Sequence, residues 1–176
     1  MRSGRWIVAA EVGHMELACD YFRESAFMDL RDIAGNTAEG LHIASLAGAW
    51  LAAVAGFGGM RDHGDMLTFA PRLPEDLAGL SFRLTYRGRR IRVDLSREKA
   101  SYHLLEGSEL GLTHHGKRFK LSPGVPEVQS YPPLTKRPTV SPPIGRAALR
   151  EGIGAELSTP GAAIPPTPAR TTQNAG

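Results

Sequence analysis

The chain has 176 residues, of which 41% are hydrophobic and 22% charged, a balance typical of one ordinary globular domain or two small ones. This composition excludes a fibrous protein and a disulfide-stapled miniprotein, and the most apolar window, residues 41–57, is shorter than the roughly 20 residues that span a bilayer. We therefore expect no membrane as a partner, and because the formal charge is only +3, we expect no nucleic acid either.

The single cysteine, Cys19, cannot close an intrachain disulfide and lies in an apolar-periodic stretch. Both features fit a buried thiol in a reducing compartment. An apolar run near the amino terminus, residues 6–10, is interrupted by Glu11 before it reaches the roughly 7 to 15 residues of a signal peptide. We therefore expect a cytoplasmic protein.

The composition changes twice along the chain and divides it into three segments. Residues 1–61 are Ala-rich with helical spacing, and residues 62–121 alternate as strands do. Residues 122–176 hold eleven of the 13 prolines and one of the 12 aromatic residues, too few to bury the apolar area that offsets chain entropy. The pattern predicts an α+β protein with two helices, a small antiparallel sheet or sandwich, and a disordered Pro-rich tail.

In the first segment the apolar spacing predicts two helices. Residues 6–29 have the pattern of an amphipathic helix. Asn36 and Glu39 resemble a capping box, which predicts a second helix over residues 37–55, ended by the glycine-rich run at residues 56–59. This second helix is apolar on nearly all faces, so it needs partners on every side. Two helices alone cannot supply them.

The second segment predicts strands. Residues 80–86 and 91–95 alternate across a turn at Gly88-Arg89, as in an antiparallel hairpin with one core face and one arginine-rich face. Further strands are expected over residues 66–69, 100–105 and 109–114, which makes four or five in all. We expect the arginine-rich face to be solvated or to dock another surface, because acidic residues lie nearby and no aromatic platform interleaves it. This face comprises Arg83, Arg87, Arg89, Arg90 and Arg92.

Several histidines have neighbours that could bind a metal ion. His63 lies close to Asp62 and Asp65 in a Gly-containing loop, but three such residues lack a complete coordination set. His114 and His115 are adjacent on a predicted strand, so their side chains should point to opposite faces. We expect no metal site and no cofactor.

Three residues on the second predicted helix are candidates for binding an anion. His42, Ser45 and Gly48 recur at three-residue spacing and so share one face, and the start of a helix attracts phosphate through its free amides and its dipole. The alternative is that His42 and Ser45 are core polar groups with satisfied hydrogen bonds, which is the usual role of such pairs. The spacing alone leaves both interpretations open.

Two blocks of sequence resemble the carboxy-terminal part of glycoside hydrolase family 65. The first block comprises Asp29-Leu30, residues 35–50 (GNTAEGLHIASLAGAW) and residues 56–61 (GFGGMR). The second comprises residues 67–74 (LTFAPRLP), 80–83 and 86–90 and is similar to the family's carboxy-terminal β domain. The resemblance covers roughly residues 5–120 and does not extend to the tail.

This resemblance implies an architecture. Family members have an amino-terminal β-sandwich, an (α/α)6 barrel and a small carboxy-terminal sheet domain. Residues 1–61 would then be the incomplete end of the barrel, and residues 62–121 the carboxy-terminal β domain. The partners that the second helix lacks would be the other barrel helices.

The resemblance also implies an activity. Most members are phosphorylases of maltose, trehalose or kojibiose that use inorganic phosphate as co-substrate and invert the anomeric carbon. By resemblance His42, Ser45 and Gly48 would contact phosphate. The family's general-acid glutamate has no counterpart here, so we expect no catalytic residue in this chain and no turnover by it alone. Its partners would be a disaccharide and phosphate once an upstream chain completes the barrel, and the intact family forms homodimers.

Two alternatives remain open at this point. A trehalose hydrolase fragment of the same family would need a carboxylate base to activate water, and the carboxylate nearest to His42 in sequence is Glu39. A non-catalytic carbohydrate-associated β module would need exposed aromatic rings for sugar stacking. The alternation predicts that Phe82 and Tyr86 face the core instead.

Overall fold

A computed structural model describes residues 5–32, 35, 38, 40–134 and 137–138 of the chain. The helices are α1 (Arg5–Glu11), α2 (Met15–Phe27) and α3 (Ile43–Leu51), and α3 continues directly into a π-helix (Ala52–Phe57). The strands are β1 (Leu67–Phe69), β2 (Leu80–Tyr86), β3 (Arg89–Leu95), β4 (Lys99–Glu106), β5 (Leu110–His114), β6 (Lys117–Leu121) and β7 (Glu127–Ser130). The α+β class is confirmed.

The helical region differs from the prediction in its boundaries. The predicted single helix over residues 6–29 is two helices, because Gly13 adopts a φ of +87°, a left-handed conformation that ends α1. Helix α3 begins at Ile43, so the predicted start at residue 37 is wrong. The residues of the predicted capping box, Asn36 and Glu39, lie outside the described residues.

The described helices pack around a small core of their own. Ala10, Ala18 and Cys19 are buried there together with Phe57 of the π-helix, whose ring meets that of Phe22 edge-on at 5.4 Å. Burial raises the pKa of the Cys19 thiol to about 11. The predicted buried thiol is confirmed.

Two sheets form the β domain and share one core. Their strand orders are β1-β5-β6 and β2-β3-β4-β7. Phe69 on the first sheet packs against Phe82 and Tyr102 on the second, with the Phe69 and Tyr102 ring centroids 5.2 Å apart. The predicted sandwich is thus confirmed, although the strands number seven in the described residues and β1 pairs with β5 in parallel.

Two hairpins of the β domain close through two-residue turns with positive φ. The β2–β3 turn is Arg87-Gly88 (φ +48° and +73°) and the β5–β6 turn is His115-Gly116 (φ +44° and +80°), the combination that suits the right-handed twist of paired strands. The predicted turn at Gly88-Arg89 is therefore displaced by one residue. His115 lies in a turn, not on a strand as predicted.

The prediction of a disordered tail from residue 122 is wrong for its first part. Strand β7 pairs antiparallel with β4, and the following Tyr131 is buried, with its hydroxyl donating to the backbone carbonyl of Ser96. An available strand edge and one aromatic anchor thus order this Pro-rich stretch. Residues 139–176 lie outside the described residues.

The π-helix joins the helical region to the β domain. Its Val54 enters the core of the β domain, whereas its Phe57 enters the helical core. The chain then turns at Gly59, whose φ is +60° and where a Cβ atom would lie 2.0 Å from the carbonyl oxygen of Ala70. Such a close approach admits only glycine.

Candidate functional site

His42 lies immediately before α3, held by a buried carboxylate from the preceding turn. Its backbone N–H donates to Asp29 Oδ2 at 2.9 Å, and its ring Nδ1 lies 2.5 Å from Asp29 Oδ1. The Asp29 side chain is 7% exposed and the imidazole 32% exposed. His42 is therefore the N-cap residue of α3 and not, as predicted, part of the helix.

Ser45 lies in the first turn of α3. Its N–H donates to the carbonyl of His42 at 2.8 Å, while its half-buried hydroxyl forms no hydrogen bond with the described residues. A hydroxyl can donate to an anion, and the first turn of a helix carries partial positive charge. The structure thus brings the side chain of Ser45 to the same end of α3 as His42.

Gly48 lies one turn further along α3 and is buried. The large apolar side chains of this helix face the other way and are well exposed: Ile43 by 69%, Leu46 by 45% and Trp50 by 47%. His42, Ser45 and Gly48 therefore share the more buried side of the segment. The predicted common face is present, although its first member precedes the helix.

The contact between Asp29 and His42 was not foreseen from the sequence. The two residues are 13 positions apart, which corresponds to no helix or strand period. Asp29 stands in the turn after α2, so only the folding of α2 against α3 brings its carboxylate to the imidazole. The one available signal was an aspartate at the end of the first predicted helix.

His63, the other histidine considered as a metal ligand, lies in an exposed loop. His63 and Asp62 are 84% and 65% exposed, with their nearest ring nitrogen and carboxylate oxygen 3.9 Å apart. Within the described residues no three His, Cys, Asp or Glu side chains gather closely enough to hold a metal ion. This exposure agrees with the interpretation of residues around His63 as a solvated loop.

His114 is part of a buried aromatic cluster in the β domain. Its Nδ1 lies 2.7 Å from the Tyr102 hydroxyl, and its ring centroid is 4.9 Å from that of His115. The prediction that the two histidines point to opposite faces is therefore wrong, because the turn after β5 folds His115 back. Burial, with a smaller effect of His115, lowers the pKa of His114 to about 4.

The predicted arginine-rich face carries its own counter-charges. Arg90 pairs with Glu106 at 2.5 Å and Arg92 with Asp94 at 2.8 Å. Burial raises the pKa of Asp94, but hydrogen bonds from Ser81 and Arg92 outweigh it and leave that pKa lowered. Two of the five arginines of this face are thus paired with carboxylates, which reduces its attraction for anions.

Arg61 lies at the joint between the helical region and the β domain. Its guanidinium donates to the carbonyls of Ala55 at 2.7 Å and Met60 at 2.6 Å, and it pairs with Glu11 of α1. The Ala55 carbonyl belongs to the end of the π-helix, where backbone acceptors lack helical partners, and the Met60 carbonyl lies three residues beyond that end. Arg61 therefore ties that end to α1.

None of the helices in the described part of the chain is long and apolar enough to cross a membrane. Two domain families match the sequence. Residues 4–51 match the glycosyl hydrolase family 65 central catalytic domain, and residues 60–121 match the glycosyl hydrolase family 65, C-terminal domain. The first match contains the His42 site, and the second spans β1 to β6.

Known proteins give the same result. An uncharacterized glycosyl hydrolase of Mycobacterium leprae (strain TN) is 45% identical over 77% of this chain and 18% of its own length. An alpha,alpha-trehalose phosphorylase of Thermoanaerobacter brockii is 43% identical over 67% of this chain and 15% of its own length. The chain thus spans less than a fifth of the length of these relatives.

A solved structure has the same fold. A putative kojibiose phosphorylase from the human microbiome superposes with a TM-score of 0.66 and 25% sequence identity. The superposition covers 72% of this chain and 16% of that one.

Proposed function

Since the chain belongs to glycosyl hydrolase family 65, we propose that it forms the phosphate side of the active site of an inverting disaccharide phosphorylase. The substrate would be an α-linked glucose disaccharide such as trehalose or maltose. The observation that carries the proposal is the grouping of His42 and Ser45 at the start of α3, within the segment that matches the catalytic domain.

This grouping suits phosphate. An imidazole N–H, a hydroxyl and the first amides of a helix are all donors, and the helix dipole adds partial positive charge. Gly48, one turn further along, is the third proposed contact, where a backbone without a side chain admits close approach. Phosphate is the co-substrate in this proposal, and no cofactor takes part.

The reaction needs only one protein acid. A phosphate oxygen forms a bond to the anomeric carbon while the glycosidic bond on the opposite face breaks, and the leaving oxygen takes a proton from a general acid. That acid is proposed to lie in sequence outside this chain, which spans less than a fifth of its relatives. The chain alone would therefore bind phosphate without turning over a disaccharide.

The alternatives receive less support. The hydrolase alternative relied on Glu39, which lies outside the described residues, so nothing in the geometry favours it. In the described part of the β domain every Phe and Tyr ring is buried or half-buried, whereas sugar stacking needs an exposed ring. We also propose a cytoplasmic location, because a single buried thiol such as Cys19 fits a reducing compartment.

The test is phosphorolysis of trehalose, maltose and kojibiose by the chain alone and together with the polypeptide encoded immediately upstream. We expect glucose 1-phosphate only from the combination. His42→Ala should then lower turnover about 100-fold, the usual cost of one donor to a reacting oxyanion, and His63→Ala in the exposed loop should leave it unchanged. Cleavage without phosphate, or full activity of His42→Ala, would contradict the proposal.

A further inference from the structure

We propose that Asp29 is a positioning residue for the phosphate site and that Nε2 of His42 is the ring atom that contacts phosphate. This inference rests on the proposed function of His42. It adds a residue and an atom that the spacing of His42, Ser45 and Gly48 does not give.

The carboxylate holds His42 at two points. Oδ2 accepts the backbone N–H at 2.9 Å and Oδ1 lies 2.5 Å from Nδ1. One contact fixes the main chain and the other fixes the ring, so rotation of the imidazole would break a hydrogen bond. Because the Asp29 side chain is only 7% exposed, water cannot readily replace either contact.

The contact also assigns the ring protons. An ionised carboxylate only accepts hydrogen bonds, so with Asp29 ionised the proton of this contact is on Nδ1. Nε2 then remains for a ligand, and no described residue bonds to it. When Nε2 is protonated as well, the imidazolium is neutralised by Asp29 on one edge and can donate to a phosphate oxygen from the other.

A purely structural role is the competing explanation. Asp29 accepts an N–H at the start of α3, and a carboxylate there stabilises a helix through its dipole. The two roles predict opposite effects on phosphate. If Asp29 only caps the helix, removing its negative charge beside an anion site should strengthen phosphate binding or leave it unchanged. If Asp29 positions the ring, phosphate binding should weaken.

The first experiment uses the unaltered 176-residue chain, labelled with ¹⁵N-histidine, and inorganic phosphate as the probe. His42→Gln identifies the ring signals of His42. We expect Nδ1 to be protonated before phosphate is added, and phosphate to shift the Nε2 signal. A ring protonated only at Nε2 in the free chain would overturn the Asp29 proposal, and this readout does not depend on any variant folding.

The second experiment titrates phosphate into Asp29→Asn, with Asp62→Asn as a matched control from the exposed Asp62–His63 pair. We expect Asp29→Asn to bind phosphate about tenfold more weakly, the lower end of what loss of an orienting partner costs, and to lose the Nδ1 proton signature. Asp62→Asn should match the unaltered chain.

The outcomes separate the two proposals. Weaker binding together with the changed ring signature supports the role of Asp29. Unchanged or tighter phosphate binding by Asp29→Asn overturns that role but leaves the phosphate site in place. If phosphate shifts neither ring nitrogen of His42 in the unaltered chain, both the phosphate site and the role of Asp29 fall.

Discussion

The β domain and the helical region treat their large apolar residues differently. In the β domain, Ile91 and Tyr102 are fully enclosed between the two sheets. In the helical region, Ile43, Leu46 and Trp50 project from α3 and are each at least 45% exposed. The β domain therefore closes a core with its own residues, whereas α3 carries an apolar face that the described residues do not cover.

The difference arises because the apolar face of a strand and the apolar surface of a helix need different numbers of neighbouring elements to cover them. A strand with alternating residues has one apolar face, and the opposing sheet covers it. A helix that is apolar on most faces needs neighbours around its whole circumference, and α2 and the π-helix cover only part of α3. Substitutions at the joint between the two regions, at apolar residues of each region and at charged or titratable groups test this comparison.

The largest effect is expected at the joint. Gly59→Ala would place a Cβ 2.0 Å from the carbonyl oxygen of Ala70 at a φ of +60°, so the backbone must shift. We expect a loss of about 4 kcal/mol or more in the free energy of unfolding, measured by urea denaturation. The control is Gly116→Ala, where φ is +80° but nothing lies within 4 Å, and where strain alone should cost about 1 kcal/mol.

A leucine from each region gives the next prediction. Leu112 of β5 is fully buried and Leu46 of α3 is 45% exposed. Leu112→Ala should cost about 3 kcal/mol in urea denaturation, because it removes buried apolar surface and leaves a cavity. Leu46→Ala in this chain should change the stability by no more than about 0.5 kcal/mol. Equal losses would show that the face of α3 is covered.

The third prediction concerns acid. The pKa of His114 is lowered by burial from its ordinary 6.5 to about 4, so the unfolded chain binds the proton more readily. Stability should therefore be fully present above pH 6.5 and decline as the pH falls toward 4, with a loss of about 2 kcal/mol between pH 7 and pH 5. Urea denaturation at a series of pH values measures it.

The matched control removes both partners of the buried hydrogen bond. Tyr102→Phe combined with His114→Leu leaves no buried polar group unpaired between them, and this double variant should lose about 2 kcal/mol of the acid sensitivity. His63→Gln, from the exposed loop, should retain it. If the double variant remains equally acid-sensitive, His114 is not its source.

Much of this fold could be predicted from local pattern, and the failures share a cause. The β2–β3 hairpin and the apolar character of α3 both follow from the pattern of consecutive residues. The parallel pairing of β1 with β5 and the pairing of β7 with β4 join distant segments, so neither has a local signal. The Pro-rich composition predicted disorder where β7 forms, because composition does not reveal that the edge of β4 is available for pairing.

The candidate site shows the same limit. The spacing of His42, Ser45 and Gly48 predicted a common face, and the structure places them on one side of α3. The carboxylate of Asp29, which holds His42, comes from another turn of the chain and only tertiary structure supplies it. The role of this site in phosphate binding stays a prediction, which the ring signals of His42 will test.

The smallest expected effect compares two arginines. Arg61 donates to the carbonyls of Ala55 and Met60 and is 25% exposed. In contrast, Arg90 pairs with Glu106 on the open face of the sheet, where both side chains are at least half exposed. Arg61→Ala should cost about 1.5 kcal/mol in urea denaturation, because charged hydrogen bonds to half-buried carbonyls are lost. Arg90→Ala should cost about 0.5 kcal/mol or less, and added salt should erase it. If the two variants lose the same stability, Arg61 acts only as another surface charge, and its hydrogen bonds do not stabilise the joint between the helical region and the β domain.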